Sequence, residues 1–188
     1  MAELADYAEQ YRHFEALLPT FLGELVAELP EGPAKDLVAA NLADEQGDPV
    51  AHVELFERFA GAVGARPIEQ APASAATRAL VDSYAGSVSD GPVSALAGFI
   101  AYECQASEVA RSKAEGLRNH YGMDDLAVSF WEHHARVDAR HGEWALEALG
   151  DLSESLDPGA RAQILPAFRR GADAWWSFLD ERELTAVR

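Results

Sequence analysis

The sequence predicts an all-α fold, and two of its features support that prediction. Apolar residues recur at intervals of three and four along most of the 188-residue chain, which is the spacing of one helix face, whereas the alternation expected of strands is almost absent. Gly and Pro clusters interrupt this pattern and divide the chain into helix-length segments. A chain of this length can bury the core of a single helical domain over residues 1–188.

Gly, Pro and Asp residues mark the ends of the predicted helices. The first helix ends at the turn that begins with Pro30, Asp48 is the expected N-cap of a helix with Pro49 in its first turn, and Asp124 or Asp125 is the expected N-cap of another. The seven predicted helices cover about residues 4–29, 34–46, 49–63, 75–87, 93–120, 124–149 and 160–184, with a loop over 64–74. A short turn joins the fifth and sixth helices, so we expect them to pack as an antiparallel hairpin. The first helix carries the apolar stripe Tyr7, Tyr11, Phe14, Leu18, Phe21 and Leu25, and the last carries Ile164, Phe168, Trp175, Phe178 and Leu179.

The charge of the chain narrows the classes of partner. It carries 15 basic and 32 acidic residues, and the formal charge of −17 would repel nucleic acid and anionic membrane surfaces. The longest apolar stretches fall short of the roughly 20 residues that span a bilayer. The N-terminus lacks the features of a signal peptide, and the single Cys104 cannot form an intrachain disulfide. We therefore expect a cytoplasmic protein with a small-molecule substrate and neither nucleic acid nor a membrane as its partner, and we leave a homodimer open.

The run 131–141 holds a group of side chains with metal-ligand chemistry. At about 100° per residue, His134, Asp138 and His141 lie within roughly 60° of one another on a helix, so their side chains can converge, whereas His133 lies off that face. Imidazole nitrogen and carboxylate oxygen together suit Fe, Mn or Zn. The alternative is that histidines share a solvated helix face by chance, in a chain that has six of them.

Three further residues are candidates because of their context. Glu103 follows an almost wholly apolar run, 96–102, and a carboxylate facing the core there needs a cation or another partner. Glu45 and His52 are seven residues apart and would share a face if the helix continued past Pro49 with only a kink. The alternatives are that both glutamates face solvent and that His52 is a partly buried structural residue.

Taken together, these segments resemble the haem-oxygenase-like diiron oxidases and oxygenases (the HDO family), within the CADD-like and TenA/PqqC-like superfamily. The pattern of that family is a Glu and a His seven apart, a later Glu, and a final His-x-x-x-Asp-x-x-His, and the resemblance covers most of the chain. It implies a haem-oxygenase-like bundle of about seven helices that holds two Fe(II) ions, with Mn as the alternative metal. The ligands that it implies are Glu45, His52, Glu103, His134, Asp138 and His141. It also implies O2 as co-substrate, and an external reductant is left open.

The resemblance further implies an O2-dependent oxidoreductase. Members of the family oxidise or cleave small amines, amino acids or carboxylic acids, and we expect such a reaction here, within a biosynthetic pathway. One alternative is a p-aminobenzoate synthase like chlamydial CADD, which consumes its own side chains; Tyr7 and Tyr11 would then be candidates for oxidation, although tyrosines on an apolar stripe are usually core residues. A metal-free TenA-like or PqqC-like enzyme is a second alternative, and a non-catalytic protein that takes up no metal is a third.

Lys113 and Cys104 are the remaining candidates. The place of Lys113 after Glu103 resembles that of a lysine implicated in the CADD reaction, and this makes Lys113 the candidate catalytic residue. Its amine is available to donate nitrogen, to hold a substrate carboxylate, or to form a salt bridge, which is the commonest role of a lysine. Cys104 invites comparison with a TenA-like nucleophile, but a cysteine within an apolar run is expected to be a packed, inert thiol.

Overall fold

The computed structural model describes residues 1–47 and 50–186, which form helices and connecting turns without a strand. The predicted all-α fold is confirmed. The described helices are α1 (Ala2–Glu15), α2 (Leu18–Glu28), α3 (Pro33–Gln46), α4 (His52–Ala62), α5 (Ala75–Ser89), α6 (Pro92–Tyr121), α7 (Asp125–Glu154), α8 (Pro158–Ala162) and α9 (Ile164–Ala186). Asp48 and Pro49, at the predicted start of the third helix, lie outside the described residues. Among the helices just given, none is long and apolar enough to cross a membrane.

Two of the seven predicted helices are each divided in two, so the predictions of continuous helices over 4–29 and 160–184 are wrong. α1 ends at Glu15 and α8 ends at Ala162, and in each case a proline, Pro19 or Pro166, lies four residues further along. Proline has no amide hydrogen to donate to the carbonyl of the fourth residue before it, and its ring collides with that carbonyl. Each proline instead lies in the first turn of the next helix, where the missing donor is tolerated.

α6 and α7 are each 30 residues long and form the antiparallel hairpin that the sequence predicts. Gly122 ends α6 with φ +65°, and Asp124 caps α7 by accepting a hydrogen bond from the amide of Ala127 at 2.9 Å. Further along the hairpin, a Cβ added to Gly142 would lie 3.0 Å from the carbonyl oxygen of Glu103. The lack of a side chain at this glycine therefore lets the two helices approach closely beside a candidate ligand.

α9 packs on α6 through small residues rather than through the whole of its predicted apolar stripe. Phe168 and Leu179 were expected on the buried face, but they are 37% and 39% exposed, so that part of the prediction is wrong. The buried face instead includes Ala167 and Gly171. A Cβ added to Gly171 would lie 2.8 Å from the carbonyl oxygen of Gly98, because the two backbones are nearly in contact there.

An aromatic core fixes α1 against α4, α7 and α9. The Tyr11 ring stacks on Phe56 with centroids 5.1 Å apart, and it meets Trp131 and Trp175 at 5.9 and 5.8 Å. Such pairs add to the stability that burial of large rings already provides. The predicted stripe of the first helix is confirmed, because its residues from Tyr11 to Leu25 are buried. The inner face of α1 is thereby held toward the middle of the bundle.

Candidate metal centre

Glu45, His52 and His134 form the first of two groups that could hold a metal ion, with ligand atoms that all lie within 4.8 Å of one another. Nδ1 of His52 is 2.8 Å from Oε2 of Glu45. The two residues do not belong to one continuous helix, as the sequence suggested, because α3 ends at Gln46 and α4 begins at His52. Gly47 makes the turn with φ +67°, where an added Cβ would collide with the backbone of Val50.

Glu103, Asp138 and His141 form the second group, again with ligand atoms within 4.8 Å of one another. Glu103 comes from α6 and the other two come from α7. Nδ1 of His141 lies 3.7 Å from Oδ1 of Asp138 and 3.9 Å from Oε1 of Glu45, a member of the first group. The two groups therefore adjoin, with Glu45 between them. All six candidate ligands predicted from the sequence meet at one place in the bundle.

The imidazoles are oriented by hydrogen bonds on the side away from this place. Nδ1 of His134 lies 2.9 Å from the carbonyl oxygen of Phe130, so it donates there and leaves Nε2 for a cation. Nε2 of His141 lies 3.2 Å from Oδ2 of Asp44, which leaves Nδ1 for a cation. Asp44 also accepts a hydrogen bond from Arg140 at 3.0 Å. A carboxylate behind a ligating histidine is a recurring feature of metal sites.

Two buried nitrogen atoms in the site have no hydrogen-bond partner among the described residues: Nδ1 of His52 and Nδ1 of His141. The short separation of Nδ1 of His52 from Glu45 is not aligned as a hydrogen bond, although it falls within ion-pair distance. Buried polar atoms without partners are rare in folded proteins. Two such atoms in one site indicate that the site binds a cation, which these nitrogens and the nearby carboxylate oxygens would coordinate.

Burial shifts the acid–base equilibria of the whole group. It raises the pKa values of Glu45, Glu103 and Asp138, and the neighbouring carboxylates raise them further. Burial also lowers the pKa values of His52 and His141 to about 4. A divalent cation would relieve the repulsion among the carboxylates and would bind imidazoles that are already neutral. The residues present therefore fit a divalent metal.

Glu15 is a buried carboxylate of the site that sequence reasoning missed. It is the last residue of α1 and is 2% exposed. Burial raises its pKa well above the usual range, and Glu45 and Glu103 raise it further. Glu15 follows Tyr11 by four residues and so lies on the apolar stripe of the first helix. An acidic residue on an apolar stripe is the feature of the sequence that could have identified Glu15 as a candidate.

His133 belongs to neither group, in agreement with its predicted place off the common face. Its side chain is half-buried, and its ring centroid lies 4.5 Å from that of His52. Burial, and then the neighbouring His52, lower the pKa of His133 to about 4. Its neutral imidazole packs on a candidate ligand from the outside.

Lys113 contacts a tyrosine and forms no salt bridge with the described residues, so the prediction that favoured a salt bridge is wrong. Its Nζ donates to the hydroxyl of Tyr7 at 2.6 Å and lies 4.3 Å from the ring centroid of Trp131. Burial lowers the pKa of Lys113 to about 7. Tyr7 and Tyr11 pack in the aromatic core as expected. Cys104 is exposed, so the prediction of a packed thiol is wrong. Partial burial raises the pKa of the thiol, which agrees with the predicted lack of reactivity.

A helical bundle in which buried carboxylates and imidazoles converge is a class of protein that can hold iron for redox chemistry. The sequence model of the family described as "Iron-containing redox enzyme" matches residues 5–176. The chain belongs to this family, and it is an iron-containing oxidoreductase. The predicted family, fold class and enzyme class are confirmed, which disfavours the metal-free and non-catalytic alternatives.

Several known proteins are similar to the chain over most of its length. It is 33% identical to the 4-aminobenzoate synthase of Nitrosomonas europaea, over 95% of this chain and 77% of that protein. It is 26% identical to the 4-aminobenzoate synthase of Chlamydia trachomatis, over 95% of this chain and 77% of that protein. A crystal structure of a CADD-like protein of unknown function from Nostoc punctiforme shares the fold, with a TM-score of 0.81 and 16% identity over 100% of this chain and 84% of that one.

Proposed function

We propose that the chain is a diiron oxidase that uses O2 and that its product is 4-aminobenzoate. The observation that supports the diiron assignment is the pair of adjoining groups, each with three ligand atoms within 4.8 Å of one another and with Glu45 between them. Two Fe(II) ions held by these six residues would supply the electrons that reduce O2. The product is inferred from the 4-aminobenzoate synthases that the chain is similar to.

The protein's own residues would orient the ligands and exclude water. Asp44 holds the proton on Nε2 of His141, and the carbonyl of Phe130 holds the proton on Nδ1 of His134. The Phe130 ring lies over the His134 ring with centroids 4.0 Å apart. This aromatic contact would keep water from that side of the centre.

The contact between Lys113 and Tyr7 favours a reaction that consumes the protein's own side chains. 4-Aminobenzoate combines a six-membered aromatic ring with a nitrogen atom, and the contact places an amine 2.6 Å from a phenol oxygen. In this proposal a tyrosine supplies the ring and, through oxidation of its Cβ as the Cα–Cβ bond breaks, the carboxylate. The Lys113 nitrogen, released as Cε is oxidised to an aldehyde and the Cε–Nζ bond breaks, replaces the phenol oxygen, which leaves as water. O2 is the oxidant for both cleavages and is reduced to water. The wider alternative, an oxidase acting on an added small amine, amino acid or carboxylic acid, uses the same metal centre.

Iron loading tests the metal assignment. Anaerobic addition of Fe(II) to chelator-treated protein is expected to give close to two irons per chain and a higher melting temperature, because the metal binds only the folded state. His134→Ala and Asp138→Asn should each lower the iron content, whereas His120→Ala, which changes an exposed histidine of α6, should not. Full loading of a Glu103→Ala, His134→Ala double variant would refute the assignment.

Isotope labelling tests the product. The chain has only two lysines, so protein grown with ¹⁵N-lysine, loaded with Fe(II) and exposed to O2 and a reductant without added substrate should release ¹⁵N-4-aminobenzoate, detected by mass spectrometry. Lys113→Arg should abolish the label in the product and Lys35→Arg should not. Unlabelled 4-aminobenzoate would reject Lys113 as the nitrogen source. Oxidation of an added amino acid or amine with no 4-aminobenzoate formed would reject the product and favour the wider alternative.

A further inference from the structure

An apolar cavity of about 230 Å³ lies beside the contact between Lys113 and Tyr7. Its walls come from α1, α4, α6 and α7. Apart from the lysine amine they are mainly aromatic and aliphatic, and they include Tyr7, Phe59, Leu117 and Trp131. Cavities with apolar walls and one or two well-placed polar groups are typical of small-molecule sites.

The Lys113 amine is a cation without an anion in the part of the chain that the structure describes. An ammonium has three N–H donors, and the hydroxyl of Tyr7 accepts one of them. The nearest rings stabilise a positive charge but accept no conventional hydrogen bond, with the centroids of Trp131 and Tyr7 at 4.3 and 4.7 Å from Nζ. The other lysine, Lys35, by contrast pairs with Glu31 at 2.7 Å. Such isolation of a lysine stands out in a chain with 32 acidic residues.

We propose that this cavity binds a small aryl carboxylate, with its carboxylate on the Lys113 ammonium and its ring against Trp131 and Phe59. An anion would supply the missing partner for the amine, and the aromatic walls suit a flat ring. The proposal rests on the wider alternative within the proposed function, an oxidase that acts on an added carboxylic acid, because a Lys113 that had given up its nitrogen could no longer hold an anion. The cavity would then hold that acid while Lys113 is intact.

Gly116 offers a way to fill the cavity without disturbing the lysine. It lines the cavity one turn after Lys113 on α6, and a Cβ added to it would meet no atom within 4 Å. A larger side chain at this position would therefore occupy the cavity without a backbone clash. A second cavity of about 160 Å³ lies on the other side of the same lysine, against Val109 and Trp175, and Gly116 does not line it.

Equilibrium binding tests the proposal. The Fe(II)-loaded protein would be titrated without O2, by calorimetry and by tryptophan fluorescence, with benzoate, with 4-aminobenzoate and with benzamide as the neutral analogue. Benzoate should bind at least about tenfold more tightly than benzamide, as expected for a charge-assisted hydrogen bond in a partly buried site. Lys113→Met should remove that preference, and Gly116→Leu should weaken both acids about tenfold or more. Lys35→Met, the matched control, should change neither.

Three results would overturn the proposal: equal affinity for benzoate and benzamide, unchanged affinity in a folded Lys113→Met variant, or unchanged affinity in Gly116→Leu, which would place the ligand elsewhere. Circular dichroism would establish that each variant is folded, and Gly116→Leu keeps the test decisive if Lys113→Met does not fold. Because the titration involves no turnover, its failure is separate from that of the proposed function. Benzoate binding without 4-aminobenzoate formation rejects only the product, and product formation without benzoate binding rejects only the site.

Discussion

Replacing Lys113 with methionine is expected to change how the free energy of unfolding depends on pH. Burial lowers the pKa of this lysine to about 7 in the folded protein, whereas an unfolded lysine titrates near 10.4. Between these values the unfolded chain binds more protons, so this group makes the folded state more stable as pH rises. Below about pH 7 both states carry the charge, and the full penalty of burying it remains. The variant has no such group.

The magnitude follows from the size of the shift. Roughly 3.4 pKa units at 1.36 kcal/mol each set a ceiling of about 4–5 kcal/mol for the penalty below pH 7. The lysine borders two cavities that water can enter, so we reduce this to about 2–3 kcal/mol. Loss of the hydrogen bond to Tyr7 offsets about 1 kcal/mol of the gain. Lys113→Met should therefore stabilise the protein by about 1–2 kcal/mol near pH 6. About half of this advantage should be lost near pH 9 and all of it near pH 10, because the unfolded lysine keeps its proton until the pH approaches about 10.4.

Urea unfolding followed by circular dichroism, at several pH values from about 6 to 9, would measure the effect. The relevant quantity is the difference between the variant and the parent protein, because the buried carboxylates contribute equally to both. Lys35→Met removes the other lysine, which is paired on the surface with Glu31, and should show no such trend. A difference between Lys113→Met and the parent that stays constant over this pH range would refute the lowered pKa of the Lys113 amine.

Two further predictions concern helix packing and ligand orientation. Gly171→Ala should destabilise the protein by about 1–3 kcal/mol in urea unfolding, because its Cβ would lie 2.8 Å from the carbonyl oxygen of Gly98. Gly150→Ala, where a Cβ would meet no atom within 4 Å, should be neutral or stabilising, and equal effects of the two changes would contradict the close approach. Asp44→Ala should weaken iron binding by about 10–100-fold in a competition titration, because His141 loses its orienting carboxylate. Unchanged affinity would show that Asp44 does not orient that imidazole.

The fold could be predicted from the sequence because helix periodicity and turn residues are local properties. Asp124, an expected N-cap after the hairpin turn, caps α7 in the structure. The two breaks at Pro19 and Pro166 were missed because the apolar stripe continues across each proline. The buried face of α9 was missed for a different reason. Packing against a neighbouring backbone selects small residues such as Gly171, and a hydrophobicity pattern does not reveal them.

The convergence of the six candidate ligands could be predicted from the sequence, but their division into two groups of three could not. His134, Asp138 and His141 share a helix face, and the sequence therefore presented them as one group. In the structure His134 joins Glu45 and His52 instead. Residues 134 and 141 are separated by about 10 Å along the helix axis, so they can meet different partners. Angular spacing shows which way side chains point, whereas their partners depend on tertiary packing.

The burial of Glu15 bears on the oxidation state that the centre would favour. With Glu45, Glu103 and Asp138 it makes four carboxylates in one region of low dielectric, beside imidazoles whose pKa values are lowered. Two ferrous ions carry four positive charges, so the filled site would be electrically neutral when all four groups are ionised. Each ferric ion would add one uncompensated charge, which is costly in such surroundings. Electroneutrality would therefore raise the reduction potential of the iron and favour the ferrous form, the form that reacts with O2.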